Sequence, residues 1–411
     1  MREKIICGLD IGSSKVCAVI AGYESQDSKI EILGVGEESC SGLKYGVVVN
    51  IDNTYRAISK AVEAAEKEAD TKVKDVVANL NGSHISGHMH QGATKIPRSE
   101  REITQEDVER VISSARTTVP LSSDMHIIHA IPLDFIVDKQ GGVENPIGME
   151  GNHLEVKVML ITGSTASKNN LEKCITKAGL GIRETVSTVL APTEIVVAKE
   201  EKDLGSILVD IGAQTTNIAL FVEGALNHIG ELDIGSDFIT RDLAHGLKTS
   251  FSEAKRIKES VGSVLGEEMP DKRIEYLGVD GQTKKTASLK TINKIIEPRV
   301  EDIIDYIHQE LTETGKQYMV PGGIILSGGG AQLKGVDKAI EQKLENFPVR
   351  RGRPRNIKGK VEKVNAPKYA TAVGLIKYVL KSDNLHGYAN TAFSGTEGFW
   401  QKIIDWLEEL F

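Results

Sequence analysis

The fold is decided by the stretch Ile5-Ile6-Cys7-Gly8-Leu9-Asp10-Ile11-Gly12-Ser13-Ser14-Lys15-Val16-Cys17-Ala18-Val19-Ile20. It reads as an apolar strand ending in Asp-Ile-Gly, a polar turn and a second β-branched strand. The pattern returns in Ile207-Leu208-Val209-Asp210-Ile211-Gly212-Ala213-Gln214-Thr215-Thr216-Asn217-Ile218-Ala219-Leu220-Phe221. A third glycine-rich segment, Gly322 to Ala331, places a strand before a flexible turn and a helix start. The repeat indicates an internally duplicated α/β protein.

Length and composition exclude several classes of protein. The chain has 411 residues, of which 40% are hydrophobic, so it can bury a large core and is expected to hold two domains or more. Its formal charge of -8 has the wrong sign for a protein that coats nucleic acid. Four scattered cysteines without a C-x-x-C pair argue against a disulfide framework or zinc site and favour a reducing cytoplasmic setting.

No hydrophobic segment is expected to cross a membrane. Asp10 interrupts the apolar run at the N-terminus, which is therefore too short to form the core of a signal peptide. No window approaches the roughly 18 uncharged apolar residues that a spanning helix needs. Any contact with a membrane is expected to be peripheral.

Helical periodicity is found between the strand patterns. It predicts a helix capped by Asn53 and reaching Ala69, one from Thr104 and Asp107 to Ala115, one over Lys168 to Ala178, and a long one with Pro298 near its start. The last of these has apolar residues three or four positions apart through Leu311, so one face is expected to lie in the core.

The glycine-rich turns suit phosphate binding. Without a Cβ, their backbone N–H groups can approach a phosphate closely, and hydroxyl groups add further donors. Asp10 and Asp210, each at a strand end, can hold magnesium through its bound waters, and Lys15 can meet phosphate oxygens. For one turn alone, an ordinary β-hairpin is the competing interpretation. Two matching turns and the Ser-Gly-Gly-Gly element favour a nucleotide site.

These segments carry a family resemblance. The turns at Asp10 and Asp210 resemble the paired phosphate loops of the actin/Hsp70/sugar-kinase superfamily, and Leu326 to Ala331 resembles its adenosine loop. Within that superfamily the chain is most similar, over essentially its whole length, to the FtsA family of actin-like bacterial cell-division proteins. The supporting segments are Gly42-Leu43-Lys44-Tyr45-Gly46 followed by Asp52, Asn145-Pro146-Ile147-Gly148-Met149, Leu160-Ile161-Thr162-Gly163-Ser164 and Tyr369-Ala370-Thr371-Ala372-Val373-Gly374-Leu375.

The resemblance implies a two-lobed α/β actin-like ATPase fold with duplicated RNase H-like domains, an inserted subdomain in the first lobe and a C-terminal amphipathic helix. The implied segments are residues 1–83 and 163–195 with 366–380 for the first-lobe core, 84–162 for the insert, 196–227 and 301–365 for the second-lobe core, 228–300 for its upper subdomain, 381–398 for a linker and 399–411 for the helix.

The resemblance also implies a function and a set of binding residues. ATP and magnesium would occupy the cleft, with Asp10 and Asp210 positioning the magnesium and water. The cofactor-binding residues would be Gly12, Ser13, Ser14, Lys15, Gly212, Thr215, Thr216, Gly235, Lys258, Ser327, Gly328, Gly329 and Gly330. The protein would form filaments and anchor FtsZ, through its C-terminal tail, to the cytoplasmic face of the cell membrane at the division site. It would recruit other divisome proteins and bind no nucleic acid.

The chain departs from the family pattern around the second turn. Ala213 and Gln214 stand where two further glycines are usual, which crowds the β- and γ-phosphate positions. Ser236 replaces the second residue of a common Gly-Gly pair, and Lys255 stands where a glutamate near the ribose is usual. ATP binding is therefore expected, with at most slow hydrolysis.

The end of the chain, GFWQKIIDWLEELF, is strongly amphipathic when drawn as a helix. One face carries all the large apolar side chains, namely Phe399, Trp400, Ile403, Ile404, Trp406, Leu407, Leu410 and Phe411. Both tryptophans of the protein lie here, after a polar Gly/Ser/Asn-rich linker from Lys381 to Gly398. These features favour binding at a membrane surface over docking on the protein itself.

The sequence contains two further clusters of basic side chains and leaves two alternative functions open. The group His84, His88 and His90 suggests an exposed hairpin strand more than a metal site, and the run Arg350, Arg351, Arg353 and Arg355 suggests a solvated loop more than a nucleic-acid contact. The alternative functions are an FtsA-like ATP-binding scaffold of type IV pilus assembly and a small-molecule kinase. The pilus scaffold leaves the amphipathic terminus unexplained, and no acceptor pocket with a general base is found for a kinase.

Overall fold

Residues 4–24, 29–97, 102–265, 272–345 and 347–387 are described by a computed structural model, with side chains given as far as Lys381. Three larger sheets, mixed or antiparallel, organise these residues, and helices pack on each of them. The predicted segment 399–411 lies outside the described residues.

The N-terminal stretch forms the centre of a six-stranded sheet. Its strands are β1 (Lys4–Ile11), β2 (Lys15–Tyr23), β3 (Ile30–Ser39), β6 (Asp75–Leu80), β11 (Gly181–Ser187) and β19 (Ile357–Gly359), while β4 (Leu43–Lys44) and β5 (Val47–Val48) form a separate hairpin. The spatial order is β11-β6-β1-β2-β3-β19. Because β19 pairs with β3, the chain returns to the first lobe at Ile357, earlier than the expected residue 366.

Helices cover both faces of this sheet. They are α1 (Ile51–Ala69), α3 (Thr165–Lys177), α4 (Thr193–Val196), α10 (Val361–Val364) and α11 (Ala370–Gly387). A Cβ on Gly36 would lie 1.9 Å from the carbonyl oxygen of Ala61 in α1, and one on Gly8 would lie 2.1 Å from that of Ala372 in α11. The β1–β2–β3 register puts these two glycines on opposite faces, so each face has a glycine that admits a helix backbone.

A four-stranded antiparallel sheet is inserted between β6 and α3. Its strands are β7 (Ser86–Lys95), β8 (Met125–Val137), β9 (Gln140–Val143) and β10 (His153–Ser164), in the order β7-β10-β8-β9. One helix, α2 (Gln105–Thr117), packs on it and buries Val111 and Ala115 against β7 and β10. The insert therefore has a small hydrophobic core of its own.

The repeated stretch forms the centre of a five-stranded sheet in the second lobe. Its strands are β12 (Ser206–Ile211), β13 (Thr216–Val222), β14 (Ala225–Leu232), β17 (Ile324–Ser327) and β18 (Val349–Arg351), in the order β14-β13-β12-β17-β18. The helices of this lobe are α5 (Lys199–Leu204), α6 (Ser236–Leu247), α7 (Phe251–Val261), α8 (Leu289–Glu313) and α9 (Val336–Lys343), and a hairpin is formed by β15 (Arg273–Leu277) and β16 (Lys284–Ser288).

The two faces of this sheet belong to different cores. Leu208 packs into the core of the first lobe, whereas Val209 packs beneath the helices of the second lobe. Because strand side chains alternate between faces, Asp210 lies on the same face as Leu208. The end of β12 therefore places Asp210 on the side of the sheet that meets the first lobe.

Several helix predictions need correction. Asn50, not Asn53, caps α1: its side chain accepts the backbone N–H of Asn53. The helix predicted from Lys168 begins at Thr165, because Ser164 caps it, and Pro298 lies inside α8 rather than near its start. The helix predicted to start at Thr104 and Asp107 is confirmed, and these two residues form a capping box at the start of α2.

The chain after β17 also differs from the prediction. A short 3₁₀ helix, Gly330–Gln332, follows the glycines, and the next α-helix starts only at Val336. The linker prediction was wrong for residues 381–387, which continue α11, while residues 388–398 lie outside the described part.

Candidate functional site

The two repeated turns have the same backbone geometry. In the first, the Gly12 N–H donates to the carbonyl oxygen of Lys15 at 2.9 Å; in the second, the Gly212 N–H donates to that of Thr215, also at 2.9 Å. Asp10 lies opposite Cys17, and Asp210 lies opposite Asn217, as the last residues but one of their strands. The repeat seen in the sequence is therefore a repeat in three dimensions, with one carboxylate delivered by each lobe.

Asp10 is held from the neighbouring strand by Asn79. The Asn79 Nδ2 donates to Asp10 Oδ1 at 3.1 Å, while the backbone N–H of Ile11 donates to Asn79 Oδ1 at 2.6 Å. Burial raises the pKa of Asp10 to about 7, Lys15 lowers it and the charge of Asp210 raises it. Asp210 is thus close enough to Asp10 for its charge to raise the pKa of the Asp10 carboxyl group.

Asp210 belongs to a row of polar side chains across the second-lobe sheet. The strand register places Ser327, Asp210, Asn217 and Glu231 side by side on one face. Asp210 is 5% exposed, and burial raises its pKa to about 6, opposed by hydrogen bonds from Ser327 and Asn217. Its Oδ1 atom is buried and has no hydrogen-bond partner among the described residues. Such an orphaned acceptor suits a donor supplied by a ligand.

The third glycine segment closes tightly against the second turn. Gly328 has a φ of +83°, and a Cβ there would lie 2.4 Å from the carbonyl oxygen of Ile211 and 2.9 Å from Asp210 Oδ1. A Cβ on Gly330 would lie 2.3 Å from Ile211 Cγ2, whereas Gly329 faces open space. Gly328 and Gly330 are therefore needed for packing, and Gly329 leaves room beside the cleft.

The start of α6 is tied to the second turn. The backbone N–H groups of Ser236 and Asp237 donate to the carbonyl oxygens of Gly212 and Ala213, at 3.0 and 2.7 Å. A Cβ on Gly235 would lie 2.6 Å from the Ala213 oxygen. Lys258 Nζ donates to the Ser236 carbonyl at 2.9 Å; burial lowers the pKa of this lysine to about 8, opposed by Asp237. Gly235 and Lys258 are thus adjacent to the turn.

Two predicted donors are engaged elsewhere. The ammonium group of Lys15 pairs with Glu37 and lies 5.0 Å from the ring centre of Tyr369. The hydroxyl of Thr216 donates to the Ile234 carbonyl at 2.8 Å, inside the lobe. Both groups therefore already have partners within their own lobes. In the first turn, the carbonyl oxygen of Ser14 accepts the Cys40 N–H at 3.0 Å.

Among the described residues, three hydrogen bonds cross between the lobes at the cleft, and a fourth, from Gly46 to Ser13, lies beside the cleft within the first lobe. The Tyr45 N–H donates to Gln214 Oε1 at 2.8 Å, the Gly46 N–H to Ser13 Oγ at 3.0 Å, Asn81 Nδ2 to Thr215 Oγ1 at 3.1 Å, and the Gly82 N–H to Glu231 Oε2 at 3.2 Å. Gln214 thus uses its side chain as a bridge to the other lobe, which a glycine at this position cannot do.

Sequence reasoning missed Asn79, Asn81, Asn217 and Glu231. The sequence did contain a signal for the first two. Asn79-Leu80-Asn81-Gly82 comes at the end of the buried strand β6, in the same way that Asp10-Ile11-Gly12 comes at the end of β1. Glu231 could not be found this way, since it reaches the cleft only through the pairing of β14 with β13.

Neither of the two other clusters belongs to the repeated turns. His88 and His90 lie on a strand, β7, as predicted, but the hairpin prediction was wrong, because β7 pairs with the distant β10. His84 precedes the strand, and its Nδ1 accepts the Ser164 N–H. The loop prediction was wrong for Arg350 and Arg351, which lie in β18. There Arg350 pairs with Glu201 at 2.5 Å, and Arg351 pairs with Asp337 at 2.9 Å, so both serve the packing of the lobe.

Comparison with known proteins identifies the family. The chain is 36% identical to the cell division protein FtsA of Neisseria meningitidis serogroup B over 416 residues, covering 100% of this chain and 99% of that protein. It is 32% identical to the cell division protein FtsA of Escherichia coli K12, with the same shares covered. The chain belongs to the FtsA family. It is therefore a cell division protein, as the first of the three functional hypotheses held.

Family models and solved structures support the same fold. The model described as cell division protein FtsA matches residues 207–374, and that of the SHS2 domain inserted in FtsA matches residues 82–162. A solved structure of the PilM–PilN type IV pilus biogenesis complex matches with a TM-score of 0.65 and 17% identity, covering 91% of this chain and 98% of its own. A structure of Spiroplasma citri MreB5 bound to ADP matches with a TM-score of 0.53 and 12% identity, covering 93% of this chain and 98% of its own. The actin-like ATPase fold with an inserted subdomain is thus confirmed. At 17% identity, the match to the pilus complex is evidence for a shared fold but not for a shared function.

No helix in the described ranges is both long enough and apolar enough to span a bilayer. The membrane-binding residues predicted in segment 399–411 lie outside those ranges.

Proposed function

We propose that this protein binds ATP with magnesium in the cleft between its lobes and anchors FtsZ to the cytoplasmic membrane at the division site. The observation that carries the nucleotide proposal is the buried Oδ1 of Asp210, which has no hydrogen-bond partner among the described residues and lies beside Gly328. Solved structures of a fold neighbour, Spiroplasma citri MreB5, contain ADP or AMPPNP.

The residues present fit magnesium bound through water. Asp10 and Asp210 offer carboxylate oxygens, which magnesium prefers, and metal-bound waters would donate to the orphaned Asp210 Oδ1. Bound magnesium would also neutralise phosphate charge. The positive charge of the magnesium would lower the pKa of the Asp210 carboxyl group and so oppose the effect of burial, which raises it.

The turns and the third segment would hold the nucleotide. Gly12, Ser13 and Ser14 on one side and Gly212 and Thr215 on the other would present backbone and hydroxyl donors to phosphates. Gly329, which faces open space, and Gly235 with Lys258 would lie beside the nucleoside. Because Gln214 extends across the cleft where two glycines are usual, turnover is expected to be slow.

The membrane part of the proposal rests on the amphipathic terminal segment and on family membership. Burying a large apolar side chain contributes about 1.5–3 kcal/mol at full depth, so the eight apolar residues of 399–411 can hold the protein reversibly at a membrane surface. Filaments would present many such tethers at once, and multivalency would then make attachment stable. The upper subdomain, residues 228–300, is the proposed site of the FtsZ tail.

Co-sedimentation with liposomes tests the anchor. Full-length protein should pellet with vesicles and should carry a fluorescent FtsZ tail peptide with it. Trp400→Glu places a charge on the apolar face and should release the protein, whereas Gln401→Glu places the same charge on the polar face and should not. Truncation after Gly398 should abolish pelleting. Equal pelleting of truncated and full-length protein would show that this segment is not the anchor.

A further inference from the structure

The hairpin turn between β4 and β5 presents two consecutive backbone donors to the cleft. The Tyr45 N–H donates to Gln214 Oε1 at 2.8 Å, and the Gly46 N–H donates to Ser13 Oγ at 3.0 Å. One bond therefore goes to each of the two repeated turns. No motif in the sequence marks Tyr45 and Gly46 as binding residues.

The backbone geometry of this turn is fixed. Tyr45 has a φ of +47° and Gly46 a φ of +75°, the pair of positive values typical of a tight two-residue hairpin turn. A Cβ on Gly46 would lie 2.9 Å from the carbonyl carbon of Asn81 and the nitrogen of Gly82. The turn is thus pressed against the loop after β6, and its donors are pre-oriented before any ligand binds.

We propose that the Tyr45–Gly46 turn is a third phosphate-binding element, which recognises the terminal phosphate of the nucleotide; this inference rests on the nucleotide site proposed above. Successive backbone N–H groups in a turn form a concavity that suits an anion. Here they are held by neutral oxygens, a carboxamide and a hydroxyl. A charged phosphate oxygen accepts a stronger hydrogen bond than either of them.

Gln214 has a defined part in this proposal. Its side chain bonds the Tyr45 donor and so competes with a terminal phosphate for it. A diphosphate lacks that group, so the Gln214 bond would persist with ADP and be exchanged with ATP. The turn would thereby distinguish the two nucleotides, and Gln214 would set how strongly it does so.

The turn is connected to a long helix. The carbonyl oxygen of Gly42, next to β4, accepts the N–H groups of Val49 and Asn50, and Asn50 is the N-cap of α1. On the other side of the hairpin, the backbone N–H of Cys40 donates a hydrogen bond to the carbonyl oxygen of Ser14 in the first turn. A change at Tyr45 would therefore reach the start of α1 through a short, hydrogen-bonded segment.

Amide hydrogen exchange on full-length protein tests this inference. In the variant Gln214→Leu, which keeps bulk but loses the acceptor, peptides covering residues 43–49 should exchange about 2- to 12-fold faster than in wild type. A non-hydrolysable ATP analogue with magnesium should restore slow exchange, and ADP should not. The ATP-to-ADP affinity ratio from calorimetry should rise by a similar factor, because the Tyr45 donor is freed. Gln282→Leu, on an exposed turn between β15 and β16, is the matched control.

The outcomes separate this inference from the nucleotide proposal. If calorimetry shows both nucleotides bound, yet they protect residues 43–49 equally in wild type and in Gln214→Leu, the sensor role is overturned while the nucleotide site stands. If neither nucleotide binds wild-type protein, the site itself is wrong and the sensor falls with it. Gln214→Gly, the residue usual in the family, repeats the test should the leucine variant unfold.

Discussion

Glu231 in the second lobe accepts a hydrogen bond from the backbone N–H of Gly82 in the first lobe, with 3.2 Å between nitrogen and Oε2. Burial raises the pKa of Glu231 to about 8 and the charge of Asp233 adds to the rise, while the Gly82 bond opposes it. The other oxygen, Oε1, is buried and has no partner among the described residues. A carboxyl group that titrates near neutral pH therefore lies where the lobes meet.

This carboxyl group should make stability fall as pH rises. Its folded pKa of about 8 lies above the unfolded value of about 4.3, so the folded state binds more protons between these values. The contribution of Glu231 to stability should thus be complete below about pH 4.3 and should be lost as the pH rises toward 8. Glu231→Gln should flatten this slope in thermal unfolding from pH 5.5 to 8.5. Exposed Glu200→Gln is the control, and parallel slopes for Glu231→Gln and wild type would contradict the assignment.

Magnesium and ATP should displace protons from Asp10 and Asp210. Burial raises their pKa values to about 7 and 6, and a bound cation favours the ionised forms. Calorimetry at pH 6 in buffers of different ionisation enthalpy should detect more proton release than at pH 8. Asp210→Asn should reduce the release and abolish the rise in melting temperature caused by Mg-ATP. Release that is equal at pH 6 and pH 8 would contradict this prediction.

The fold was largely predictable because it depends on local patterns. The apolar run before Asp10 and its repeat before Asp210 specify two strand pairs, and Thr104 with Asp107 specifies the start of α2. The failures have physical causes. Proline is expected near a helix start, but burial of the apolar positions from Leu289 to Leu311 holds α8 together on both sides of Pro298. Arg350 and Arg351 look like loop residues because their partners, Glu201 and Asp337, are distant in sequence.

The site was predictable where a motif reports backbone geometry and not where strand pairing creates it. Gly328 is required by its positive φ and close contacts, so its presence in the sequence is informative. Glu231 has no such signature and faces the cleft only because it lies beside Asn217 in the sheet. The role of Gln214 was also hidden, since its partner Tyr45 is 169 residues away.

Gly328 and Gly329 should respond differently to valine. Gly328 has a φ of +83° and lies against Ile211. A side chain in this left-handed backbone conformation costs ~1–2 kcal/mol. Because a Cβ would also clash with Ile211, Gly328→Val should destabilise the protein by more than that amount. Gly329 has a φ of -66°, and no atom of the described residues lies within 4 Å of its Cβ position, so Gly329→Val should keep the melting temperature and lose nucleotide binding. Tight ATP binding by Gly329→Val in calorimetry would show that the nucleotide lies elsewhere.

His129 should act in the opposite pH direction from Glu231. This histidine of the insert is 8% exposed; its Nε2 accepts the Ser187 N–H at 3.0 Å, so its Nδ1 carries the proton and donates to the Tyr378 hydroxyl of α11 at 3.1 Å. Burial lowers the pKa of His129 to about 3, with further lowering by Arg116 and His126. The unfolded state, with a pKa of about 6.5, binds more protons between these values, so stability should be lost as pH falls below about 6.5.

Urea unfolding at pH 5, 6 and 7 tests this acid sensitivity. His129→Gln removes the titrating group and should reduce the loss of unfolding free energy between pH 7 and pH 5, whereas the exposed His88→Gln should not. Tyr378→Phe removes one hydrogen bond and should cost about 0.5–1.5 kcal/mol at pH 7 while leaving the pH slope in place, because His129 stays buried. The difference between variant and wild type isolates His129 from Asp10, Asp210 and Glu231, whose raised pKa values act in the opposite pH direction. If His129→Gln kept the wild-type slope, another group would be responsible for unfolding in acid.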